Sequence, residues 1–154
     1  MIDRIYLDSC VLNRFGDDQT QERVRLEAAA TARALDAVAR GVVHWVASSA
    51  LAEELQRNPD PVRRHDALRF LSMASETVYP TDSTKLRAAQ LQTSGLGAFD
   101  ALHLAIAEEA QVSALLSVDD RLIARALRRP GADLTLVENP IDWCRRRQPW
   151  LIKR

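Results

Sequence analysis

Four carboxylates stand in apolar stretches of this sequence, where a protein ordinarily places hydrophobic side chains. Each adjoins or interrupts a run of apolar residues, and the four are Asp8, Glu54, Asp100 and Asp119. An ionised carboxylate in apolar surroundings is unfavourable unless a cation pairs with it. No Lys or Arg stands directly beside any of the four, so the pattern predicts a metal ion as the cation. Oxygen ligands alone favour Mg²⁺ or Mn²⁺, because zinc prefers His and Cys.

Two of these acids follow runs that are typical of strands. Asp8 comes directly after the apolar residues 5–7, and Asp119 follows the apolar stretch 114–118. Open parallel sheets bind ligands at the carboxyl ends of their strands, so both acids are expected at the same edge. Each also has a simpler interpretation, which is an Asx-turn for Asp8 and a helix N-cap for Asp119.

The other two acids stand in helical patterns. Asp100 lies about one turn into the nearly all-apolar pattern 98–110, where stabilisation by the helix dipole is the alternative explanation. Glu53 and Glu54 compete for one role. At about 100° per residue, Glu53 points almost opposite the apolar stripe formed by the nearby leucines, whereas Glu54 lies about 80° from it. The helical phase therefore selects Glu54 as the inward acid.

Short apolar runs alternate with helical patterns along the chain, which is typical of βα units around a parallel sheet. Strands are expected at residues 5–7, 42–47, 115–118 and 134–137. Helices are expected at residues 21–40, 49–58, 60–74, 83–93, 98–110 and 120–128. Ser48 or Ser49 can cap the second of these helices, and Gly41 can end the first.

The composition is that of one globular domain. The 154 residues suffice for a core, and 47% hydrophobic residues with 27% charged residues exclude a disordered chain. The formal net charge is zero, so bulk charge does not indicate a nucleic-acid binder. The two cysteines, Cys10 and Cys144, form no disulfide framework, and no apolar leader or membrane span is evident. A cytoplasmic protein is expected.

Arginines supply almost all of the positive charge, and they cluster late in the chain. Arg121, Arg125 and Arg128 fall at positions i, i+4 and i+7 of the helical pattern that follows Asp119, so they share a face. Arginine suits bidentate contacts with phosphate. The alternative is an ordinary solvated helix face, and residues 145–147 are a weaker candidate for the same role.

Two further residues are candidates for chemistry. His103 lies three residues after Asp100 on the same helix face, either as a partner of an acid or as a core histidine with its hydrogen bonds satisfied. Cys10 is followed too closely by Arg14 for a phosphatase phosphate loop, so it is interpreted as buried and inert. The sequence contains no glycine-rich loop of the Walker or dinucleotide type.

The order of these segments is similar to that of a known family. The segments are Leu7-Asp8-Ser9, Glu54-Leu55, Gly97-Ala98-Phe99-Asp100-Ala101-Leu102-His103-Leu104-Ala105 and Leu116-Ser117-Val118-Asp119-Asp120-Arg121-Leu122. Over residues 4–140 they resemble a PIN domain, a family that includes the bacterial ribonuclease toxins of VapC type. The resemblance implies a single α/β domain over residues 1–140, with a parallel sheet flanked by helices on both faces. A basic segment, residues 141–154, would pack on this domain or extend from it.

The resemblance also implies an active site. The catalytic and metal-binding residues would be Asp8, Glu54, Asp100 and Asp119. Asp120 would assist Asp119, with the choice of the nearer acid left open, and Ser9 and Ser117 would keep hydroxyl groups that the family usually has. A divalent ion, Mg²⁺ or Mn²⁺, would relieve the repulsion among the carboxylates and activate a water for attack on a phosphodiester. The expected substrate is single-stranded RNA.

Partners are expected on the same basis. The Ala-rich pattern 21–40 carries a thin apolar side with Val24, Leu35 and Val38, and by resemblance it would support a homodimer and an antitoxin segment. The alternative is that these side chains pack on the sheet.

Two other functions remain open at this stage. One is a non-catalytic PIN-like module that binds RNA or protein, against which the complete set of acids argues. The other is a phosphohydrolase of the haloacid dehalogenase type. Such an enzyme usually has a second Asp two residues after the first, where this chain has Cys10.

Overall fold

The computed structural model describes residues 2–131 and 135–147. Within these residues the chain forms one five-stranded sheet in which every pairing is parallel. The strands are β1 (Asp3–Leu7), β2 (Val43–Ser48), β3 (Glu76–Val78), β4 (Ala114–Leu116) and β5 (Leu136–Glu138). Their order across the sheet is β3-β2-β1-β4-β5. The predicted α/β domain with a parallel sheet is confirmed.

Eight α-helices accompany these strands in the described part of the chain. They are α1 (Ser9–Asn13), α2 (Glu22–Ala39), α3 (Ser49–Gln56), α4 (Pro61–Phe70), α5 (Asp82–Thr93), α6 (Ala98–Glu109), α7 (Asp120–Leu127) and α8 (Pro140–Arg146). All six predicted helices form close to their predicted bounds. The helix expected to reach residue 74 ends at Phe70 and continues as a 3₁₀ turn, Leu71–Met73.

Helices cover both faces of the sheet, as expected. Successive residues of a strand point to opposite faces, so Ile5 and Leu7 lie in one core while Tyr6, between them, lies in the other. The first core includes side chains of α1, α2, α4 and α8, and the second includes side chains of α5, α6 and α7. Helix α3 contributes to both cores, with Leu51 on one side and Ala50 on the other.

Local signals in the sequence account for several helix ends. The Ser48 hydroxyl accepts a hydrogen bond from the N–H of Leu51 at 3.1 Å and so begins α3. Asp60 caps α4 in the same way, with Pro61 in the first turn. Gly41 follows α2 with φ of 73°, a left-handed conformation that favours glycine.

Three described elements were not predicted. Helix α1 has only five residues and strand β3 only three, which is too short for a periodic pattern to appear. Helix α8 has clear signals at its start, since Asn139 caps it and Pro140 is its first residue. The last strand was expected from residue 134, but β5 begins at Leu136, and residues 132–134 lie outside the described part.

Helix α2 is covered on its apolar side within the chain. Val24, Leu35 and Val38 are buried, and α8 packs against the helix with Trp143 fully buried in the shared core. These side chains therefore pack on the domain itself. A homodimer and a domain boundary at residue 140 stay predictions.

Among the described helices, none combines the length and hydrophobicity needed to cross a membrane.

Candidate metal centre

Strands β1 and β4 lie side by side at the point where the strand order reverses, because β2 and β3 extend to one side and β5 to the other. Ligands of open α/β sheets bind at the carboxyl end of such a reversal. Asp8 is the first residue after β1, and its N–H donates to the carbonyl of Leu116, the last residue of β4, at 3.0 Å. Asp119 follows β4 by three residues. Both acids therefore lie at the expected edge.

Donors from the chain hold both oxygens of Asp8, which is buried. Oδ1 accepts a hydrogen bond from the N–H of Ser9 at 2.8 Å, and Oδ2 accepts one from the Ser117 hydroxyl at 2.9 Å. The Cys10 thiol lies 3.2 Å from the same Oδ2. Burial and the charge of Asp8 raise the pKa of Cys10 well above its ordinary value. The thiol is therefore a poor nucleophile, although it is partly rather than fully buried.

Asp119 is an N-cap, and it keeps one oxygen free of hydrogen bonds. Its Oδ1 accepts from the N–H groups of Arg121 and Leu122 at 2.9 and 3.3 Å. Its own N–H donates to the Ser117 hydroxyl at 3.1 Å, so Ser117 connects Asp119 with Asp8. Within the described residues, Oδ2 of Asp119 accepts no hydrogen bond. Asp119 is therefore the helix N-cap that its simpler interpretation suggested. Because the capping bonds use only Oδ1, this role is compatible with a metal ion bound at Oδ2.

Glu54 points inward and Glu53 points to solvent, as the helical phase predicts. The Glu53 side chain is 60% exposed and pairs with Arg57, whereas the Glu54 side chain is 24% exposed. Glu54 Oε1 lies 2.9 Å from Nε2 of His103. Burial raises the pKa of Glu54, but the hydrogen bond and charge of His103, with smaller effects of Ser9 and Arg57, hold that pKa below its ordinary value.

Asp100 is an acid without a partner among the described residues. It is the third residue of α6 and is partly buried, and its carboxylate makes no hydrogen bond or ion pair there. Burial raises its pKa, and the charges of Asp8 and Asp119 raise it further, to about 6. An acid with this electrostatic environment is one that a cation would stabilise.

The structure brings the four predicted acids to one edge, and Asp8 and Glu54 form a compact group there with His103. One ligand atom each of Asp8, Glu54 and His103 lies within 4.8 Å of the other two. Asp100 and Asp119 lie outside this compact group, but the charges of Asp8, Asp119 and Glu54 all act on Asp100. In the described part of the chain, no arginine or lysine forms an ion pair with any of the four. A cluster of carboxylate oxygens fits a hard divalent cation.

A fifth acid, Glu27 of α2, shows what a neutralised carboxylate looks like in this molecule. It is fully buried, and Arg14 and Arg23 lie 2.8 and 3.1 Å from its oxygens. Asn139 also donates to it. Sequence reasoning missed Glu27, because Arg23 at i,i+4 suggests an ordinary surface pair and Arg14 lies 13 positions away in another element. The contrast strengthens the case for a metal ion, since among the described residues two arginines form ion pairs with Glu27 and none forms an ion pair with the four acids.

Two polar residues behind the acids were also missed. Tyr6 and Ser48 are buried in the interior of the sheet, and their hydroxyls lie 2.6 Å apart. The Tyr6 hydroxyl is also 2.7 Å from Nδ1 of His103. The expectation of a core histidine with satisfied hydrogen bonds is met, and one of those bonds is made to an acid of the cluster.

Comparison with known families agrees with this geometry. The family model of the PIN domain matches residues 5–127, which is most of the chain. The chain belongs to the PIN domain family. PIN domains are generally metal-dependent nucleases, and the acid cluster of this PIN domain suits that chemistry. The match covers the PIN family as a whole and does not single out toxins of VapC type. A search of curated proteins gave no significant match.

Proposed function

We propose that this PIN domain is a metal-dependent endoribonuclease that hydrolyses phosphodiester bonds of single-stranded RNA. The residues that would hold Mg²⁺ or Mn²⁺ are Asp8, Glu54, Asp100 and Asp119. One observation carries the proposal. The acids converge at the strand-order reversal without an arginine or lysine paired to them in the described residues, and burial together with the charges of Asp8 and Asp119 raises the pKa of Asp100 to about 6.

Each acid is prepared for this role by the chain around it. Ser9 and Ser117 hold the carboxylate of Asp8, and the first turn of α7 holds one oxygen of Asp119. Asp100 is left without hydrogen-bond donors in the described part of the chain. A bound divalent ion would supply a water of lowered pKa and would stabilise charge on the leaving oxygen. The hydrogen bonds to Asp8 and Asp119 fix these two acids before substrate arrives, so little reorganisation of them is needed.

The arginines of α7 support a phosphate-bearing substrate. Arg121, Arg125 and Arg128 are exposed, and none forms an ion pair with a described residue. Arg121 is two residues from Asp119, and the Arg125 side chain passes near Gly95, in the loop that leads to α6. A phosphate chain on this face would therefore run past two of the acids. The hydrolysis itself needs no 2′-hydroxyl, so the preference for RNA follows from the family resemblance.

The test is cleavage of a labelled single-stranded RNA of mixed sequence by the purified chain with Mn²⁺ or Mg²⁺. We expect cleavage that EDTA abolishes and that Asp100→Asn reduces by orders of magnitude, while the variant stays folded. Asp36→Asn is the matched control, because Asp36 is an exposed acid paired with Arg40, and it should cleave like the parent. A DNA strand of the same sequence tests the preference for RNA.

The alternative function is a non-catalytic module that binds RNA or protein. Binding of the labelled RNA without cleavage, under all divalent ions tested, would favour that function over the enzyme. The four acids argue against this module, because binding alone does not need carboxylates that no described arginine or lysine neutralises.

We further propose that the enzyme is the toxin of a toxin–antitoxin pair, acting in the cytoplasm as a homodimer. Support comes from the family resemblance. A cleft of about 610 Å³ lies beside α1 and α4 rather than along α2, where the groove was expected. Apolar side chains such as Leu12, Phe15 and Phe70 line it together with the charged Arg63, Asp66 and Arg69, and none of the four acids is among its lining residues. Co-expression with a small neighbouring open reading frame should relieve growth arrest and co-purify a partner. Light scattering at micromolar concentration should show a dimer, and a strict monomer would contradict this part.

A further inference from the structure

A chain of hydrogen bonds runs from the interior of the sheet to Glu54. Glu54 Oε1 lies 2.9 Å from Nε2 of His103, and Nδ1 of the same ring lies 2.7 Å from the Tyr6 hydroxyl. The Tyr6 hydroxyl lies 2.6 Å from the Ser48 hydroxyl, which also accepts the N–H of Leu51 at 3.1 Å. Strand β1, the start of α3 and helix α6 thus meet through four polar side chains.

The members of this chain cannot rearrange easily. Tyr6 and His103 are fully buried and Ser48 is 1% exposed, so each polar atom needs a protein partner. The Tyr6 ring lies against the His103 ring at 5.5 Å between centroids, and the Phe99 ring stacks on the same imidazole at 6.1 Å. The imidazole is therefore held in its plane by packing and at both nitrogens by hydrogen bonds.

The hydrogens can be assigned along the chain. An ionised carboxylate only accepts hydrogen bonds, so the contact at Glu54 requires the ring hydrogen on Nε2 of His103. In the neutral imidazole Nδ1 then accepts the hydroxyl hydrogen of Tyr6, and the Ser48 hydroxyl donates to the Tyr6 oxygen. If the imidazole were protonated, Nδ1 would donate to the Tyr6 oxygen, and Nε2 would still donate to Glu54.

We propose that His103 is a positioning residue for Glu54, and that Tyr6 and Ser48 fix the orientation in which His103 acts. This inference rests on the proposed metal-dependent nuclease. The Nε2 hydrogen bond occupies one lone pair of Glu54 Oε1, and a Glu54 oxygen lies within 4.8 Å of an Asp8 oxygen. Hydrogen bonds of this kind set the direction and basicity of an acid that holds a metal ion.

The chain offers a matched histidine for comparison. His44 Nε2 also lies 2.9 Å from a glutamate, Glu76. This pair is at the amino end of β2, on the edge of the sheet opposite the acid cluster. His44→Gln therefore makes the same substitution in a similar pair, away from the proposed site.

The variants are Tyr6→Phe, His103→Gln, His103→Ala and His44→Gln. Tyr6→Phe keeps the ring and removes only the hydroxyl, and His103→Gln keeps an N–H that can donate to Glu54. The readouts are the Kd for Mn²⁺ by calorimetry, the kcat on RNA, the RNA affinity in EDTA and the melting temperature in EDTA. A long-range ¹⁵N–¹H spectrum of the histidines reports directly which nitrogen of His103 carries the hydrogen.

We expect His103→Ala to raise the Kd for Mn²⁺ roughly 10- to 100-fold and to lower kcat, with RNA affinity in EDTA unchanged. His103→Gln should restore part of the loss in Mn²⁺ affinity and kcat. Tyr6→Phe should give values between those of His103→Gln and those of the parent. His44→Gln should equal the parent in both. The parent spectrum should show hydrogen on Nε2. If His103→Ala fails to fold, Tyr6→Phe and the spectrum still decide the outcome.

The proposed nuclease function and the positioning role of His103 would fail in different ways. A parent that binds no Mn²⁺ and cleaves no RNA overturns the proposed function and this inference with it. A parent that does both, with Tyr6→Phe and His103→Ala equal to it in Kd and kcat, overturns the positioning role alone. A parent spectrum with hydrogen on Nδ1 and none on Nε2 does the same.

Discussion

Both carboxylate oxygens of Asp120 accept hydrogen bonds from the Arg23 guanidinium, at 2.8 and 2.9 Å. These hydrogen bonds lower the pKa of Asp120. Asp119, its neighbour in the chain, has no cationic partner among the described residues. The sequence left open which of the two acids lies nearer the metal, and the Arg23 pair favours Asp119.

This pairing predicts different effects for two adjacent substitutions. Asp119→Asn should lower RNA cleavage roughly 100-fold or more, because it removes a charge aimed at the reaction centre. Asparagine is also a good N-cap, so the melting temperature should change little. Asp120→Asn should keep most of the activity. Initial rates with Mn²⁺ check both, and a larger loss for Asp120→Asn would reverse the assignment.

Divalent ions should stabilise the folded chain by mass action. At 100 times its Kd, Mn²⁺ should add about 2.7 kcal/mol to the free energy of unfolding, which corresponds to several degrees in melting temperature. Asp8→Asn should remove most of this increase, whereas Asp36→Asn, at an exposed acid of α2, should preserve it. Melting curves across a millimolar titration provide the measurement. A parent curve that does not move would count against the site.

Glu53 and Glu54 form a second matched pair of neighbours. Glu54→Gln should lower turnover by orders of magnitude, because Glu54 faces Asp8 and His103. Glu53→Gln should cost little, since Glu53 is exposed and pairs only with Arg57. Steady-state rates on the same RNA compare the two. A larger loss of turnover for Glu53→Gln than for Glu54→Gln would show that the orientation of α3 does not decide which of the two acids is functional.

The raised pKa of Asp100 predicts a pH dependence of stability in EDTA. With a pKa of about 6 in the folded chain, Asp100 holds its proton more tightly there than in the unfolded chain. The stability that this proton contributes is therefore fully present below the ordinary pKa of an aspartate, and it is lost as the pH rises through about 6. At pH 7.5 the free energy of unfolding of Asp100→Asn should exceed that of the parent by roughly 1 kcal/mol, after allowance for solvent screening of a partly exposed group.

Melting curves of parent and Asp100→Asn from pH 4 to 8 provide the measurement. The advantage of the variant should shrink as the pH falls from about 6 toward 4, because the parent becomes protonated. Binding of Mn²⁺ to the parent should weaken over the same window, since the ion must displace that proton. A difference in stability that does not vary with pH would contradict the assignment to Asp100.

The α7 arginines predict a change in the salt dependence of RNA binding. Replacing Arg121 and Arg125 by Gln should weaken binding and reduce the log–log salt slope by about 1.4, if each contacts one phosphate of a single strand. Arg25 and Arg33, exposed on α2, provide the control pair. Binding measured in EDTA at several salt concentrations separates affinity from cleavage. Equal slopes for parent and variant would exclude this face as the phosphate track.

Much of the site was evident from local patterns in the chain. Asp8 and Asp119 follow strands, and in a parallel sheet all strands end at one edge, so their proximity follows from the fold class. Helical phase separated Glu54 from Glu53 because α3 packs one stripe against the core. Asp100 stood out because an acid in an apolar helix needs a reason to be there.

Other features depend on contacts between residues far apart in sequence. The hydrogen bonds that join Tyr6, Ser48, His103 and Glu54 cross 42 to 97 positions, and Tyr6 and Ser48 by themselves look like an ordinary strand residue and an ordinary helix cap. Only the register of β1 with β2 and the packing of α6 bring them together. Glu27 is a similar case, because its burial depends on Arg14 and Asn139, which come from different elements.

The sequence by itself determined which residues are out of place, since burial of charge is costly wherever the chain folds. It therefore predicted the sheet edge, the four acids and the need for a cation. The tertiary structure decided which carboxylates an arginine neutralises, as for Glu27 and Asp120, and which it leaves available, as for Asp100. The physical reason is that pairing depends on distances of 3 to 4 Å between side chains, and a linear pattern does not contain those distances.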